Sequence, residues 1–301
     1  MKKIAILIIN FNGLVQTLTC LQSLEKIKHE QFTVQIFVVD YGLEDQTQEI
    51  KAKFPDIQIY REEKNLGFAG GNNFLGTKAL AWQADYILLL NNDTLVSPDF
   101  LQKLFNYLEK NPKVAAVCPK IYFAKGYEYH KNKYQDKDLG KVIWYAGGKI
   151  DWDNIYSSHR GVDEVDYGQF NETNDTQFFS GCCVLLRTEV VQKIGLFNEK
   201  LFMYWEDVDL SMRILKSGFA IKYYPQSYIF HKNAGSSGVG SSLHDYFLNR
   251  NRLYFAFKYA SLRTKLAIFR QSLVKLVNGS QWERQAVKDF YLGNMGIGSW
   301  K

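Results

Sequence analysis

Over the first 120 residues, short runs of apolar residues alternate with longer stretches whose apolar residues recur at helical spacing. The apolar runs are continuous enough to predict strands covered on both faces of a sheet, and they lie at residues 4–9, 34–39, 57–60, 86–90 and 114–117. The stretches between them predict helices at residues 16–28, 45–54, 72–82 and 98–110. This alternation indicates an α/β fold around a mostly parallel, Rossmann-like sheet that is flanked by helices.

The pattern becomes less regular after residue 120. Residues 124–141 are dense in Lys, Tyr, Asp and Gly, which predicts a solvated loop, either a mobile lid or a variable insertion. Irregular strands are expected over 142–179, strands at 184–186, 220–224 and 228–231, and helices at 188–194 and 207–217. We therefore expect one catalytic unit over residues 1–242, with halves at 1–120 and 142–242, and a C-terminal helical appendage over 243–301.

The net charge of +6 is concentrated near the C-terminus. Between Tyr246 and Trp282 there is no acidic residue, and the basic residues are Arg250, Arg252, Lys258, Arg263, Lys265, Arg270 and Lys275. Apolar residues recur through 244–277 at spacings compatible with one helical face. Two interpretations stay open: the helix docks on an anionic membrane surface, or it packs on the catalytic unit or a partner chain. Since no nucleic-acid-binding module accompanies the basic residues, we expect no nucleic-acid partner.

Composition narrows the class of protein further. Hydrophobic residues make up 46% and charged residues 23% of the chain, which is typical of a globular protein and excludes disorder. The apolar run at 4–9 is shorter than the core of a signal peptide, and no stretch approaches the ~20 apolar residues of a membrane span. The four cysteines form no CxxC pair, so free thiols in a reducing cytosol are expected. We expect a cytoplasmic protein, at most peripheral on the inner face of the plasma membrane.

Polar clusters follow four successive strands of the predicted sheet. They are Asn10-Phe11-Asn12-Gly13, Asp40, the run from Asn65 to Asn73, and Asn91-Asn92-Asp93. Ligands of open α/β sheets bind at the carboxyl ends of the strands. A single polar residue there is commonly a helix cap, but four clusters at one edge indicate a binding site.

Two of these clusters suggest specific chemistry. Asn91-Asn92-Asp93 follows a buried strand directly, and carboxylate and amide oxygens suit Mg²⁺ or Mn²⁺ held partly by a substrate diphosphate. The glycines of Gly67-Phe68-Ala69-Gly70-Gly71 either let the backbone approach a phosphate or form a tight turn with positive φ. Both interpretations stay open for the glycine run.

The second half of the chain contributes acidic residues and a histidine. Trp205-Glu206-Asp207 opens a predicted helix, where the helix dipole favours acidic residues. Three carboxylates at 206, 207 and 209, beside a tryptophan expected at the surface, exceed what capping needs. His231, at a predicted strand end, is either a structural histidine or a ligand of a metal or phosphate.

These motifs, in this order and together with Phe179-Ser180-Gly181, resemble glycosyltransferase family 2. The resemblance covers roughly residues 2–240. The amino-acid sequence of residues 65–73 is most similar to the rhamnosyltransferase branch, with galactofuranosyltransferases close behind. It implies an inverting enzyme with the GT-A fold.

The resemblance also implies a role for each matching residue. The donor would be bound by Phe11, which stacks on the base, Asp40, which hydrogen-bonds it, and Asn12, Asn65, Gly67, Asn73, Asn91, Asn92 and Asp93. Asp93 and His231 would bind Mn²⁺ or Mg²⁺, and Asp207 would be the catalytic base. Gly181, Trp205 and Glu206 would lie on the acceptor side. Two departures from the family pattern are Tyr41-Gly42-Leu43 after Asp40, where Asn-x-Ser is usual, and Asn91 in place of an aspartate.

The implied reaction moves a sugar, with dTDP-rhamnose as the expected donor, onto a glycan or a polyprenyl-diphosphate-linked acceptor of surface polysaccharide synthesis. UDP-hexoses and UDP-galactofuranose stay open as donors, as does a homodimeric state. A catalytically silent homologue would be expected to lack one of Asp93, Asp207 and His231, and all three are present. A nucleotidyltransferase would carry a Gly- and Arg-rich signature after the first strand, which this chain lacks.

Overall fold

The computed structural model describes residues 1–130, 132–232 and 241–300. Its strands are β1 (Lys2–Asn10), β2 (Phe32–Asp40), β3 (Gln58–Arg61), β4 (Tyr86–Leu90), β5 (Thr94–Val96), β6 (Val114–Phe123), β7 (Ile143–Tyr145), β8 (Gly148–Asp151), β9 (Tyr156–His159), β10 (Asn174–Asp175), β11 (Cys183–Arg187) and β12 (Ala220–His231). Its α-helices are α1 (Leu14–Leu24), α2 (Thr47–Lys53), α3 (Gly67–Ala81), α4 (Phe100–Lys110), α5 (Thr188–Ile194), α6 (Glu206–Lys216), α7 (Ser242–Tyr259), α8 (Leu262–Asn278) and α9 (Gln281–Leu292).

The central sheet has the order β10-β12-β6-β11-β4-β1-β2-β3, with β5 paired to β12 and β7 to β6. Strands β3, β2, β1 and β4 are parallel, whereas β11 runs antiparallel to β4 and β6. Residues 4–8 of β1 are fully buried, as expected for a strand covered by helices on both faces. The predicted α/β class with a mostly parallel sheet is confirmed.

The parallel strands bring the predicted polar clusters to one edge of the sheet. Asn10 at the end of β1 lies in register with Asp40 at the end of β2, and β4 ends immediately before Asn91. On its other side β4 pairs with β11, so Gly181 and Cys182, just before β11, lie at the same edge.

Two strand assignments differ from the sequence prediction. The strands expected at 220–224 and 228–231 form one strand, β12, whose register shifts between Tyr224 and Tyr228. The short β5 was not predicted, and it pairs antiparallel to β12 with Thr94 opposite His231. This pairing sets Asp93 beside His231.

Helix α3 begins at Gly67, five residues earlier than predicted, so the glycine run lies in the first turns of the helix. The side-chain oxygen of Asn65 accepts a hydrogen bond from the Gly67 amide at 2.8 Å, and Gly67 has φ +69°. At Gly67 the tight-turn interpretation is therefore correct.

The basic segment predicted as one continuous helix over 244–277 is divided into α7 and α8 at Ala260 and Ser261. The Ser261 hydroxyl caps α8 by accepting from the Thr264 amide. Helix α7 buries Tyr246, Phe247 and even Arg250, so for the first half of the segment the structure favours packing over membrane docking. Packing on the catalytic unit accounts for that part of the segment. The division of the chain after residue 242 stays a proposal.

Residues 124–141 form a loop, as predicted, with a single 3₁₀ turn at Asp136–Asp138 in the described part. The buried Glu128 carboxylate holds it by accepting from the amides of Gly126 and Gly140. All four cysteines are buried free thiols. Within the described ranges, no helix combines the length and the apolar character that a membrane crossing needs.

Candidate active site

Asp40 lies at the centre of a buried hydrogen-bond network at the donor edge. Its carboxylate accepts from Asn10 Nδ2 at 2.8 Å, Arg61 Nη1 at 2.9 Å and the amides of Gln46 and Gly42 at 3.1 and 3.3 Å. These four donors occupy the lone pairs of the carboxylate. A nucleobase contact at Asp40 would have to replace one of them, so the predicted base contact stays a prediction.

Phe11 and Asn12 form the mouth of this edge. The Phe11 ring is 41% exposed and lies 6.1 Å from the Tyr41 ring, which leaves an open face on which a base can stack. Asn12 adopts a positive φ of 53°, and its side-chain oxygen accepts from the Leu43 amide. Asn12 thus shapes the turn after Asp40, where the family's usual residues are replaced.

The turn at Gly67 packs against the segment that precedes Asp207. A Cβ at position 67 would lie 2.6 Å from the ring and the carbonyl oxygen of Phe202, and that carbonyl accepts from the Ala69 amide at 3.0 Å. The turn at Gly67 and the segment that precedes Asp207 are therefore in direct contact, and only glycine fits between them.

Asn73 also joins the two halves of the unit. Its amide nitrogen donates to the Phe197 carbonyl and the Glu199 carboxylate, both at 2.9 Å, and its oxygen accepts from the Phe197 amide. These hydrogen bonds fasten α3 to the segment at residues 197–199. Since they engage the whole side-chain amide of Asn73, the predicted contact of Asn73 with the donor stays a prediction.

Asn91, Asn92 and Asp93 follow β4 directly, at the same edge of the sheet. The Asn92 side chain donates to Thr17 Oγ1 at 2.9 Å, which ties the motif to α1. Asp93 Oδ1 lies 3.0 Å from His231 Nε2, with the histidine side chain 6% and the aspartate side chain 17% exposed. The structure therefore brings the two predicted metal ligands together.

The pair fits a divalent cation that takes its other ligands from a substrate. Two ligands at right angles on a cation with bonds of ~2.1 Å lie about 3 Å apart, which is the separation of Oδ1 and Nε2. Oxygen and imidazole nitrogen are donors that Mn²⁺ accepts. Among the described residues no group of three or more His, Cys, Asp or Glu side chains converges, so diphosphate oxygens and waters would fill the remaining positions.

Asp207 lies in the first turn of α6. Its two carboxylate oxygens accept from the amides of Gly181 at 3.1 Å and Val208 at 2.8 Å. Burial raises the pKa of Asp207 to about 6, although these two amides oppose the shift. A carboxylate that titrates near neutral pH is suited to accept a proton from an acceptor hydroxyl.

Residues 181–182 lie between Asp207 and the Asn91–Asp93 motif. The Gly181 amide contacts Asp207, and the Cys182 carbonyl accepts from the Asn91 amide at 2.9 Å. A Cβ at 181 would lie 2.9 Å from the Phe68 ring, so glycine is required at this junction. Asp207 and the Asn91–Asp93 motif are thereby fixed on either side of one dipeptide.

Glu206 and Trp205 differ from the surface positions that the sequence suggested. Trp205 is only 4% exposed, and its ring packs 4.8 Å from the Phe255 ring. Burial and the neighbouring Asp207 raise the pKa of Glu206 well above its usual range. Acceptor contacts by Gly181, Trp205 and Glu206 stay predictions.

The backbone just before Asp207 is strained. Phe202, Tyr204 and Trp205 have φ values of 61°, 65° and 71°, a region that residues with side chains rarely adopt. Such conformations cost ~1–3 kcal/mol each and persist where surrounding contacts enforce them.

Asn251 of α7 supplies the enforcing contacts, and the sequence analysis missed it. Its buried amide nitrogen lies 2.7, 2.8 and 2.9 Å from the carbonyl oxygens of Leu201, Met203 and Tyr204. Arg250 beside it donates to the Gly296 carbonyl at 2.7 Å. A signal was present, because residues 250 and 251 follow the apolar pair 246–247 by four positions, on the same helical face.

Replacing Asn251 by Leu keeps the volume but removes the amide, leaving three carbonyls of the strained segment without their donor. We expect a loss of about 3 kcal/mol in unfolding free energy and a fall in kcat of about tenfold or more, with donor KM little changed. Thermal unfolding and steady-state kinetics measure both effects. Asn249→Leu removes an amide from the same helix without touching residues 201–204 and should retain kcat. Wild-type turnover by Asn251→Leu would contradict a positioning role.

The chain is similar in sequence to known glycosyltransferases. A family model described as glycosyltransferase-like family 2 matches residues 2–256. N-acetylglucosaminyl-diphospho-decaprenol L-rhamnosyltransferase of Mycobacterium tuberculosis is 25% identical over 225 residues, 70% of this chain and 70% of the relative. Rhamnosyltransferase WbbL of Escherichia coli is 26% identical over 174 residues, 55% of this chain and 60% of the relative.

Two solved structures share the fold. GalNAc-T7 with UDP, GalNAc and Mn²⁺ superposes with a TM-score of 0.61 at 16% identity, over 97% of this chain and 58% of that one. Mannosyltransferase PcManGT of Pyrobaculum calidifontis, with GDP-Man and Mn²⁺, gives 0.54 at 13% identity, over 96% and 74%. These structures are GT-A glycosyltransferases, which confirms the expected fold. The family match extends over most of the length of the chain, and the chain therefore belongs to glycosyltransferase family 2.

Proposed function

We propose that this glycosyltransferase is a metal-dependent, inverting rhamnosyltransferase of surface polysaccharide synthesis. The donor is dTDP-rhamnose, and the acceptor is a hydroxyl of a glycan carried on a polyprenyl diphosphate. The names of the mycobacterial and E. coli relatives support both the sugar and the lipid-linked acceptor. The observation that carries the proposal is the placement of Asp207 and the Asp93–His231 pair on either side of residues 181–182.

The reaction is a single displacement at the anomeric carbon. The acceptor oxygen attacks that carbon, the bond to the donor diphosphate breaks, and the acceptor proton passes to the Asp207 carboxylate. One base on the face opposite the leaving group gives inversion of configuration. When bound at Asp93 and His231, Mn²⁺ or Mg²⁺ would neutralise charge on the departing nucleoside diphosphate.

The exposed Phe11 ring and the turn at Gly67 provide the donor side of the site. Stacking on Phe11 fixes the base, and the contact between Gly67 and Phe202 couples the donor turn to the segment carrying Asp207. A catalytically silent homologue is less well supported, because the raised pKa of Asp207 suits a working base.

A donor panel tests the proposal. With Mn²⁺ present, saturating dTDP-rhamnose should raise the unfolding temperature by about 5 °C, since a ligand at a hundred times its Kd contributes about 2.7 kcal/mol. UDP-galactofuranose and UDP-glucose are the matched comparisons. The transfer product, made on a synthetic polyprenyl-diphosphate-linked N-acetylglucosamine, should show inverted anomeric configuration by NMR. Stabilisation by a UDP-sugar alone would overturn the rhamnose assignment, and a retained configuration would overturn the mechanism.

A further inference from the structure

Helix α8 buries mainly polar side chains and exposes apolar ones, which is the reverse of a helix that packs on the core of a soluble protein. The side chains it buries are Thr264, Ile268 and Ser272, spaced four residues apart. The face pointing away from the protein carries the exposed residues Leu262, Leu266, Phe269, Leu273 and Val277, which we call the α8 stripe. Since helices of soluble proteins normally bury their apolar side, the α8 stripe lacks the cover that such a surface requires.

The α8 stripe continues onto the neighbouring helices. The Tyr291 ring of α9 lies 6.1 Å from the Phe269 ring and 6.4 Å from the Phe257 ring, and Leu292 beside it is 81% exposed. The Ser272 and Tyr291 hydroxyls hydrogen-bond at 2.8 Å, which fixes α8 against α9. The result is a preformed apolar surface on two helices.

Cations border the α8 stripe on both sides. At 100° per residue, Arg263 and Arg270 fall along one border and Lys265 along the other, and none has an ion-pair partner in the part of the chain that the structure describes. The other basic residues of the predicted segment are buried or form ion pairs within the protein. Arg250 and Arg252 are buried, Lys258 pairs with Asp209, and Lys275 pairs with Glu283.

Helices α8 and α9 carry no unpaired exposed carboxylate. Between residues 262 and 292 the acidic residues are Glu283, which is paired with Lys275, and the buried Asp289. A second copy of this chain would set the same cations against each other across a two-fold axis, with no carboxylate to balance them. An anionic bilayer surface complements both the stripe and its borders.

We propose that α8 is a membrane-docking helix that lies in the plane of an anionic bilayer, with the α8 stripe inserted and Arg263, Lys265 and Arg270 at the lipid headgroups. Helix α7, which the sequence pattern would have included, instead holds the strained segment through Asn251. Docking through α8 therefore leaves the catalytic contacts of α7 in place. The proposal depends on neither the donor nor the acceptor.

Vesicle flotation tests it with the full chain. We expect the wild type to float with phosphatidylcholine vesicles containing phosphatidylglycerol at low salt, and to float weakly with phosphatidylcholine alone. Leu266→Ser, Phe269→Ser and Leu273→Ser together should lower the bound fraction about tenfold or more, because they remove the inserted area. Arg263→Gln with Arg270→Gln should lower it about tenfold at low salt.

The matched control is Val162→Ser with Tyr167→Ser, which removes exposed apolar side chains far along the chain from α8 and should float like the wild type. Thermal unfolding should be unchanged in all variants, since the altered positions are exposed. Failure of the wild type to float, or equal flotation of the triple serine variant, would overturn the proposal. A wild-type dimer that the triple variant converts to a monomer, measured by sedimentation, would assign the stripe to a second copy and also overturn it.

Discussion

Asp207→Asn is expected to lower kcat by about 10²-fold or more while leaving donor affinity nearly unchanged. The amide keeps the shape of the carboxylate but cannot take up the acceptor proton. Because Asp207 accepts from the amides of Gly181 and Val208, one oxygen of the substituted side chain still has a backbone partner, and the turn should persist. Steady-state kinetics and calorimetric donor binding measure the two quantities separately.

Neighbouring carboxylates provide the controls for this assignment. Asp209 is fully buried and accepts from Arg213, Lys258 and Tyr259, so its carboxylate is engaged in structural hydrogen bonds. Burial raises the pKa of Glu206, which favours its protonated form, so Glu206→Gln should change kcat only a few-fold. A few-fold effect of Asp207→Asn combined with a large effect of Glu206→Gln would reverse the roles.

The pH dependence provides a second measurement of the same role. The base acts as the carboxylate, so kcat/KM should rise as the pH increases through about 6, the value to which burial raises the pKa of Asp207. Asp207→Asn should remove this acidic limb from the pH profile. An unchanged limb in the variant would show that another group titrates there.

The strands and the edge at which the polar clusters meet could be predicted because they depend on local patterns. Strand β4 was predicted with its observed bounds, and the register of Asn10 with Asp40 follows from parallel pairing. The side-chain partners at that edge could not be predicted. Arg61 on β3 lies in register with Asp40 on β2 and donates to its carboxylate, and this register depends on tertiary packing that the order of residues does not specify.

The C-terminal segment shows the same limit. Neither Pro nor Gly separates α7 from α8, so the apolar period runs on and predicts one helix. The start of α9 was not predicted, although Ser280 and Glu283, which form a capping box, could have marked it. The burial of Arg250 and Asn251 could not be predicted, since a charged residue in a basic helix is ordinarily exposed.

Chelation is expected to reduce activity by about 10³-fold, and Mn²⁺ or Mg²⁺ should restore it. The donor diphosphate leaves with concentrated negative charge, which a divalent cation at the Asp93–His231 pair would neutralise. Without a cation, the carboxylate of Asp93 would repel the diphosphate. Initial rates in EDTA, followed by titration with each metal, measure the requirement.

Substitution of the histidine distinguishes a metal ligand from a structural residue. His231→Ala should raise the Mn²⁺ concentration for half-maximal rate by about 10²-fold or more, because it removes one of two protein ligands, and excess Mn²⁺ should recover part of kcat. A merely structural His231 would lower stability without changing the metal titration. His29→Ala, at an exposed position, is the matched control and should titrate like the wild type. Full activity of the wild type in EDTA would exclude the metal, and the contact between Asp93 and His231 would then serve to hold β5 against β12.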